Sequence, residues 1–188
     1  MGSHDLKVQM NAFADQAMGR KLHLHTLAAF LALGLALPGL ALAEETIYIL
    51  FRHAEKTTES EDPGLSDEGK NRALAIGSFL QQAGVTRIFS SDYKRTRETV
   101  EPVSEDMGIE IEIYDPRDLG DFAKALRDMS GVIAISGHSN TTPELAALVS
   151  GQPTEPMPET EYDRLYTIIR SRGGETIVNV SQQEQLAR

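Results

Sequence analysis

Three short segments carry side chains able to hold and attack a phosphoryl group. Phe51-Arg52-His53 closes the apolar run Ile47-Tyr48-Ile49-Leu50, and Ser90-Ser91-Asp92-Tyr93-Lys94-Arg95 follows the run Val85 to Phe89. Gly137-His138-Ser139-Asn140-Thr141 follows Val132 to Ser136. An imidazole is a nucleophile near neutral pH, and a guanidinium is shaped to hold phosphate oxygens. Open α/β sheets bind ligands beyond the carboxyl ends of their strands, where all three segments would lie. If the three strands are parallel and adjacent, Arg52, His53, Arg95 and His138 converge on one pocket.

The elements that must position these side chains follow from periodicity. Strand-like and helix-like stretches alternate, which argues for an α/β domain with a mainly parallel sheet. Thr46 to Phe51 is the first strand, followed by an acidic loop from Thr57 to Gly64. Ser66 suits a helix N-cap, with Asp67 and Glu68 in the first turn. Ala73, Ile76, Gly77 and Leu80 give that helix an apolar face, and Gly84 ends it. Val85 to Ser90 is the second strand, and Arg95 to Met107 the second helix, which Pro102 is expected to delay or kink. Ile109, Ile111 and Ile113 alternate with glutamates, as in an edge-proximal strand. Asp118 to Met129 reads as a helix and Gly131 to Ser136 as a fully apolar central strand. Thr142-Pro143-Glu144 opens a fourth helix that Gly151 stops. Tyr162 to Ile169 and Glu175 to Val180 form an antiparallel hairpin around Gly173-Gly174.

The chain has 188 residues, no cysteine and a net charge of −10. Without cysteine there is neither a disulfide framework nor a thiolate metal site. An acidic surface repels nucleic acid, so a phosphate site must be a local cationic pocket. Met18-Gly19-Arg20-Lys21 is basic, Leu27 to Leu40 is apolar, and Ala41-Leu42-Ala43 has the small-x-small form of a cleavage site. Residues 18–43 therefore read as a signal peptide, whose alternative is a membrane anchor of roughly 20 apolar residues. Residues 1–17 read as a tag or upstream-read segment, and residues 44–188 as one domain. The expected location is the bacterial periplasm or the exterior, with membrane contact only through the signal segment. His4, His23 and His25 fall in the leader and carry no expectation of chemistry.

The motifs together resemble those of the histidine phosphatase superfamily, in its phosphoglycerate mutase-like branch. Arg52-His53-Ala54-Glu55 is similar to an Arg-His-Gly signature, and Leu65-Ser66-Asp67-Glu68-Gly69 through Ala73 to a Leu-Thr-x-x-Gly-x-x-Gln-Ala helix start. Ser90 to Thr99 is similar to Ser-Ser-Pro-Leu-x-Arg-Ala-x-Gln-Thr, and Gly137-His138-Ser139-Asn140 to the second histidine motif. The resemblance implies a three-layer α/β/α sandwich. It implies His53 as the residue that becomes phosphorylated, Arg52 and Arg95 as phosphoryl-binding guanidiniums, and His138 as a hydrogen-bonding imidazole. Asn140 joins the phosphate-binding set. The departures are Ala54 for Gly, Asp92 for Pro and Tyr93 for Leu. Ser139 stands where the phytase branch has Asp, which argues against that branch.

Phosphoryl transfer depends mainly on positioning and charge stabilisation, which two guanidiniums supply without a metal or cofactor. The general acid is the open point, because Asp115-Pro116-Arg117-Asp118-Leu119-Gly120-Asp121 contains no Glu where the mutase branch has one. Asp118 is the first candidate and Asp115 the second; Glu55 and Glu144 adjoin the histidines, and a capping role for Asp118 is an equal alternative. Without an acid, good leaving groups are favoured. The expected function is an exported phosphatase acting through phosphohistidine. The wording resembles small phosphatases of lipopolysaccharide core heptose phosphates, which implies a phosphorylated small molecule or glycolipid as substrate. The alternatives are a phosphohistidine protein phosphatase and a non-catalytic phosphate-binding module.

Overall fold

The first strand, β1 (Thr46–Arg52), is apolar on both sides because both sides are covered. Tyr48 and Leu50 enter one buried cluster, and Ile49 and Phe51 the other. A computed structural model describes residues 45–58, 60–171 and 173–182 of the chain, all within the unit Ala43–Arg188. The segments read as leader, 1–17 and 18–43, lie outside the described residues.

Helix α1 (Asp67–Gln82) follows β1, then β2 (Arg87–Ser91), α2 (Lys94–Met107), β3 (Ile111–Tyr114), α3 (Leu119–Arg127), β4 (Gly131–Gly137), α4 (Thr141–Ser150), β5 (Arg164–Arg170) and β6 (Thr176–Gln182). The strands form one sheet in the order β3-β2-β4-β1-β5-β6. β3, β2, β4 and β1 are mutually parallel, while β5 and β6 run antiparallel to their neighbours. The apolar faces of α1 and α2 fill one side with Ile76, Leu80, Val100 and Val103. Those of α3 and α4 fill the other with Leu119, Ala123, Leu126, Leu145 and Val149. This is the expected three-layer sandwich, with β4 central, β3 at an edge and the hairpin at the far end. Boundaries differ by at most two residues. α2 begins at Lys94 and runs through Pro102, so the proline does not delay it.

Two local features set the chain leaving β1. Ser66 caps α1 by accepting from the Gly69 N–H at 3.1 Å, as its residue type predicts. The Ser66 N–H donates in turn to the Glu55 carbonyl at 2.9 Å. That carbonyl lies so near the helix that a Cβ on Gly69 would meet it at 2.0 Å. Gly69 therefore lets α1 press on the segment directly after His53. A Gly69→Ala variant is expected to lose about 1–3 kcal/mol of stability; an unaltered urea midpoint would show that the contact yields easily.

Candidate active site

The sheet order places the ends of β2, β4 and β1 side by side. β1 and β4 pair in register up to Arg52 and Gly137, and the His53 N–H donates to the Gly137 carbonyl at 2.9 Å. Gly137 is needed because a Cβ there would meet Thr142 Oγ1 at 2.8 Å and Tyr114 Oη at 2.9 Å. The pocket above these strand ends has a volume of about 330 Å³ and is lined by Arg52, His53, Arg95, His138 and Asn140. Lys56, Tyr93, Pro116, Arg117, Ser139, Thr141 and Glu159 complete its wall.

His53 is 3% exposed. Its Nδ1–H donates to the Ala54 carbonyl at 2.7 Å, because a carbonyl only accepts. The neutral ring therefore keeps its lone pair on Nε2, the form a nucleophile needs. Burial lowers its pKa to about 3; the Ala54 hydrogen bond opposes this, and Arg52, Arg95 and His138 add to it. The His138 ring centroid lies 5.6 Å away. Burial, then Arg95 and Arg52, lower the His138 pKa to about 4. His138 Nε2 is 2.8 Å from Ser91 Oγ at the end of β2, so Nδ1 is the nitrogen left for a ligand. Ala54, fully buried, avoids positive φ, which is what its replacement of glycine requires.

These shifts have a consequence for stability. Both rings are held below their unfolded value near 6.5, so between about pH 6.5 and pH 3 the unfolded chain binds protons that the native chain does not. Their contribution is complete above that window and is lost as the pH falls through it. The urea midpoint of the wild type is expected to drop more between about pH 7 and pH 5 than that of a His53→Ala/His138→Ala double variant. Equal drops would contradict the assignment.

Arg52 is almost fully buried. Its Nη1 donates to the carbonyls of Glu159 at 2.6 Å, Glu161 at 3.0 Å and Pro158 at 3.4 Å. Nη2 donates to Glu159 Oε2 at 2.8 Å, and the guanidinium lies 4.0 Å from the Tyr162 ring centroid. Arg95 is separated from its helix neighbours by register. Its side chain is 16% exposed, against 58% for Lys94 and 40% for Arg97, which pair on the surface with Glu98 and Asp92. Arg95 lies 4.5 Å from the Tyr93 ring centroid, and its Nη1 reaches Asp62 Oδ1 at 3.5 Å. The Nε–H groups of Arg52 and Arg95 are both buried, and neither has a hydrogen-bond partner. Two orphaned cationic donors beside a neutral imidazole favour an oxyanion.

The carboxylates are placed differently from the sequence reading. Asp118, expected as the acid, accepts from the Asp121 N–H at 3.3 Å and caps α3. It does not line the pocket, whose wall there is Pro116 and Arg117. Asp115 forks Arg117 at 2.9 and 2.8 Å, Glu55 forks Arg72 at 2.9 and 2.6 Å, and Glu144 lies on the exposed side of α4. The lining carboxylate is Glu159, from the Pro-rich loop before β5, which bonds Arg52 and Ser139 Oγ. Ser139, Arg52 and Lys56 hold its carboxyl below the usual range. Nothing in the sequence around Glu159 marked it; its partner Arg52 does. Asp62, from the acidic loop, accepts from the Lys94 N–H at 3.1 Å and caps α2 where Tyr93 cannot.

Residues 48–123, from within β1 to α3, match the family model "Histidine phosphatase superfamily (branch 1)". Over that span the chain is similar to the histidine phosphatase superfamily. The resemblance read from the motifs is borne out, down to the branch. Arg52, His53 and Arg95 lie inside the matched span, and His138 joins them through the place of β4 in the sheet.

Among curated proteins, the probable phosphoglycerate mutase GpmB of Shigella dysenteriae serotype 1 is 35% identical over 75 residues, 36% of this chain and 34% of that protein. The protein of the same name from Cronobacter sakazakii is 28% identical over 124 residues, 60% of this chain and 54% of its own length. The chain thus spans from about a third to about half of these relatives. Among solved structures, the protein histidine phosphatase SixA complexed with tungstate superposes with a TM-score of 0.60 at 16% identity, covering 75% of this chain and 99% of that one. A mycobacterial glucosyl-3-phosphoglycerate phosphatase complexed with VO3 gives 0.59 at 12%, covering 73% and 98%. These likenesses establish the histidine phosphatase fold.

Proposed function

We propose that this chain is a phosphatase that moves a phosphoryl group from a phosphate monoester or phosphoramidate to His53 Nε2, and from there to water. The observation that carries the reading is the convergence of Arg52 and Arg95 on one pocket with a neutral His53, each arginine keeping a buried Nε–H that has no protein partner. In the first step the Nε2–P bond forms while the bond from phosphorus to the leaving group breaks. In the second, water oxygen bonds phosphorus and the Nε2 electron pair returns to the ring. Charge on the equatorial oxygens is met by the guanidiniums, with the His138 ring beside them. These groups are protein side chains, and the proposed chemistry calls on neither metal nor cofactor. That two structural neighbours were solved with the oxyanions tungstate and VO3 fits an anion seated in such a pocket.

A mutase is disfavoured because Pro116 and Arg117 occupy the wall beyond β3 where a glutamate would be needed. The same proposal places the enzyme in the periplasm or outside the cell, on the signal pattern of residues 18–43, with a phosphorylated small molecule or glycolipid as substrate. A second reading, a phosphohistidine protein phosphatase, is favoured because Glu159, the carboxylate among the described lining residues, is held as the anion, and by the fold shared with the protein histidine phosphatase SixA. The test is release of phosphate from p-nitrophenyl phosphate, glycerol phosphate and a phosphohistidine peptide, with quenched enzyme mapped for acid-labile phosphate on the His53 peptide. Phosphate binding with neither release nor label would leave a binding module instead.

A further inference from the structure

We propose that Glu159 is the general base that takes the proton of the water attacking phosphorylated His53, and that the pocket consequently serves phosphoryl donors whose leaving groups depart without a protein acid. The donor classes meant are aryl phosphates, acyl phosphates and phosphoramidates; the inference rests on the phosphatase reading above.

Glu159 is the carboxylate among the residues lining the pocket. Its Oε2 meets Arg52 Nη2 at 2.8 Å, and its Oε1 accepts from Ser139 Oγ. Arg52 thus touches the carboxylate with one nitrogen, while its Nε–H is left without a protein partner. The same guanidinium holds the acceptor of the proton and the acceptor of the nucleophile in one frame. The carboxylate is 78% exposed, so water reaches it directly. Its two hydrogen-bond donors and the nearby Lys56 favour the anion, which can accept a proton but has none to give. Of the other acids named for the role, Asp118 caps a helix, Asp115 and Glu55 are held in ion pairs, and Glu144 lies on the exposed side of α4.

The balance is complete with these groups. In the first step the leaving group departs with the bonding electron pair and is protonated by solvent, which is fast only when its conjugate acid is strong or, as in a phosphoramidate, its nitrogen is already protonated. In the second step water forms the new P–O bond, Nε2 recovers its electron pair, and Glu159 receives the water's proton and later releases it to solvent.

Pre-steady-state kinetics of Glu159→Gln with p-nitrophenyl phosphate test this. The variant is expected to release one nitrophenolate per site at the wild-type rate and then to turn over about 10²-fold more slowly, with labelled His53 accumulating. The wild type is expected to prefer p-nitrophenyl phosphate over glycerol phosphate by at least about 10²-fold in kcat/KM. An unchanged turnover, or a burst slowed as much as the turnover, would overturn the base. Equal rates on both esters would overturn the substrate class. Selective loss of glycerol phosphate hydrolysis in the variant would make Glu159 a donor. If the wild type gives neither burst, label nor turnover on any of these donors, the phosphatase reading itself fails, and this inference with it.

Discussion

Replacing His53 with alanine is expected to lower turnover of an aryl phosphate by on the order of 10⁴–10⁶-fold while leaving phosphate affinity within a few-fold of wild type. The two halves of this result have separate origins. The proposed nucleophile is a single atom, Nε2, whose lone pair is fixed by the Nδ1–H bond to the Ala54 carbonyl. His138 presents a different nitrogen, since its own Nε2 is engaged by Ser91 Oγ. The proposed anion site, in contrast, rests on Arg52 and Arg95, whose positions do not depend on the His53 ring. Isothermal titration with inorganic phosphate, beside stopped-flow kinetics, separates the two. Residual turnover above about 1% of wild type would move the phosphoryl acceptor elsewhere.

The second large effect distinguishes the arginines. Arg52→Ala and Arg95→Ala should each cut kcat by about 10²–10³-fold, since each removes a cationic donor from the transferring group. Only Arg52→Ala should also lower stability substantially, by about 1–3 kcal/mol. Arg52 donates to the carbonyls of Pro158, Glu159 and Glu161 and to the Glu159 carboxylate, so it ties the Pro-rich loop to the sheet. Among the described residues the Arg95 side chain hydrogen-bonds only Asp62, at 3.5 Å. Arg52→Lys should fail too, because an ammonium cannot address three carbonyls, a carboxylate and a ligand from one plane. Equal melting temperatures for Arg52→Ala and Arg95→Ala would refute the anchoring role.

The parts of the site read from sequence were those attached to strong periodic signals. Arg52, His53 and His138 end strands whose apolar runs can be counted, and the sheet did the rest by setting β4 between β2 and β1. Arg95 was legible by its place within Ser90 to Thr99, and its low exposure beside Lys94 and Arg97 gives the physical reason. Asp118 was legible as both acid and cap, and only coordinates could choose, because an N-cap and an active-site carboxylate look alike in one dimension. Glu159 was illegible. It lies in a loop without period, Pro153 to Asp163, whose path is set by the donors of a buried guanidinium over a hundred positions earlier. Tyr162 was seen as strand rather than as the ring under Arg52 for the same reason.

The insertion of β4 between β1 and β2 has a bearing on biosynthesis. Thr46 is partnered by Gly131, and Arg52 by Gly137, so the earliest strand waits on the ribosome for one made much later. Such distant pairings close slowly. Until β4 has emerged and zipped in, no nascent intermediate has His138 beside His53, and a polypeptide released prematurely before that point lacks the proposed site.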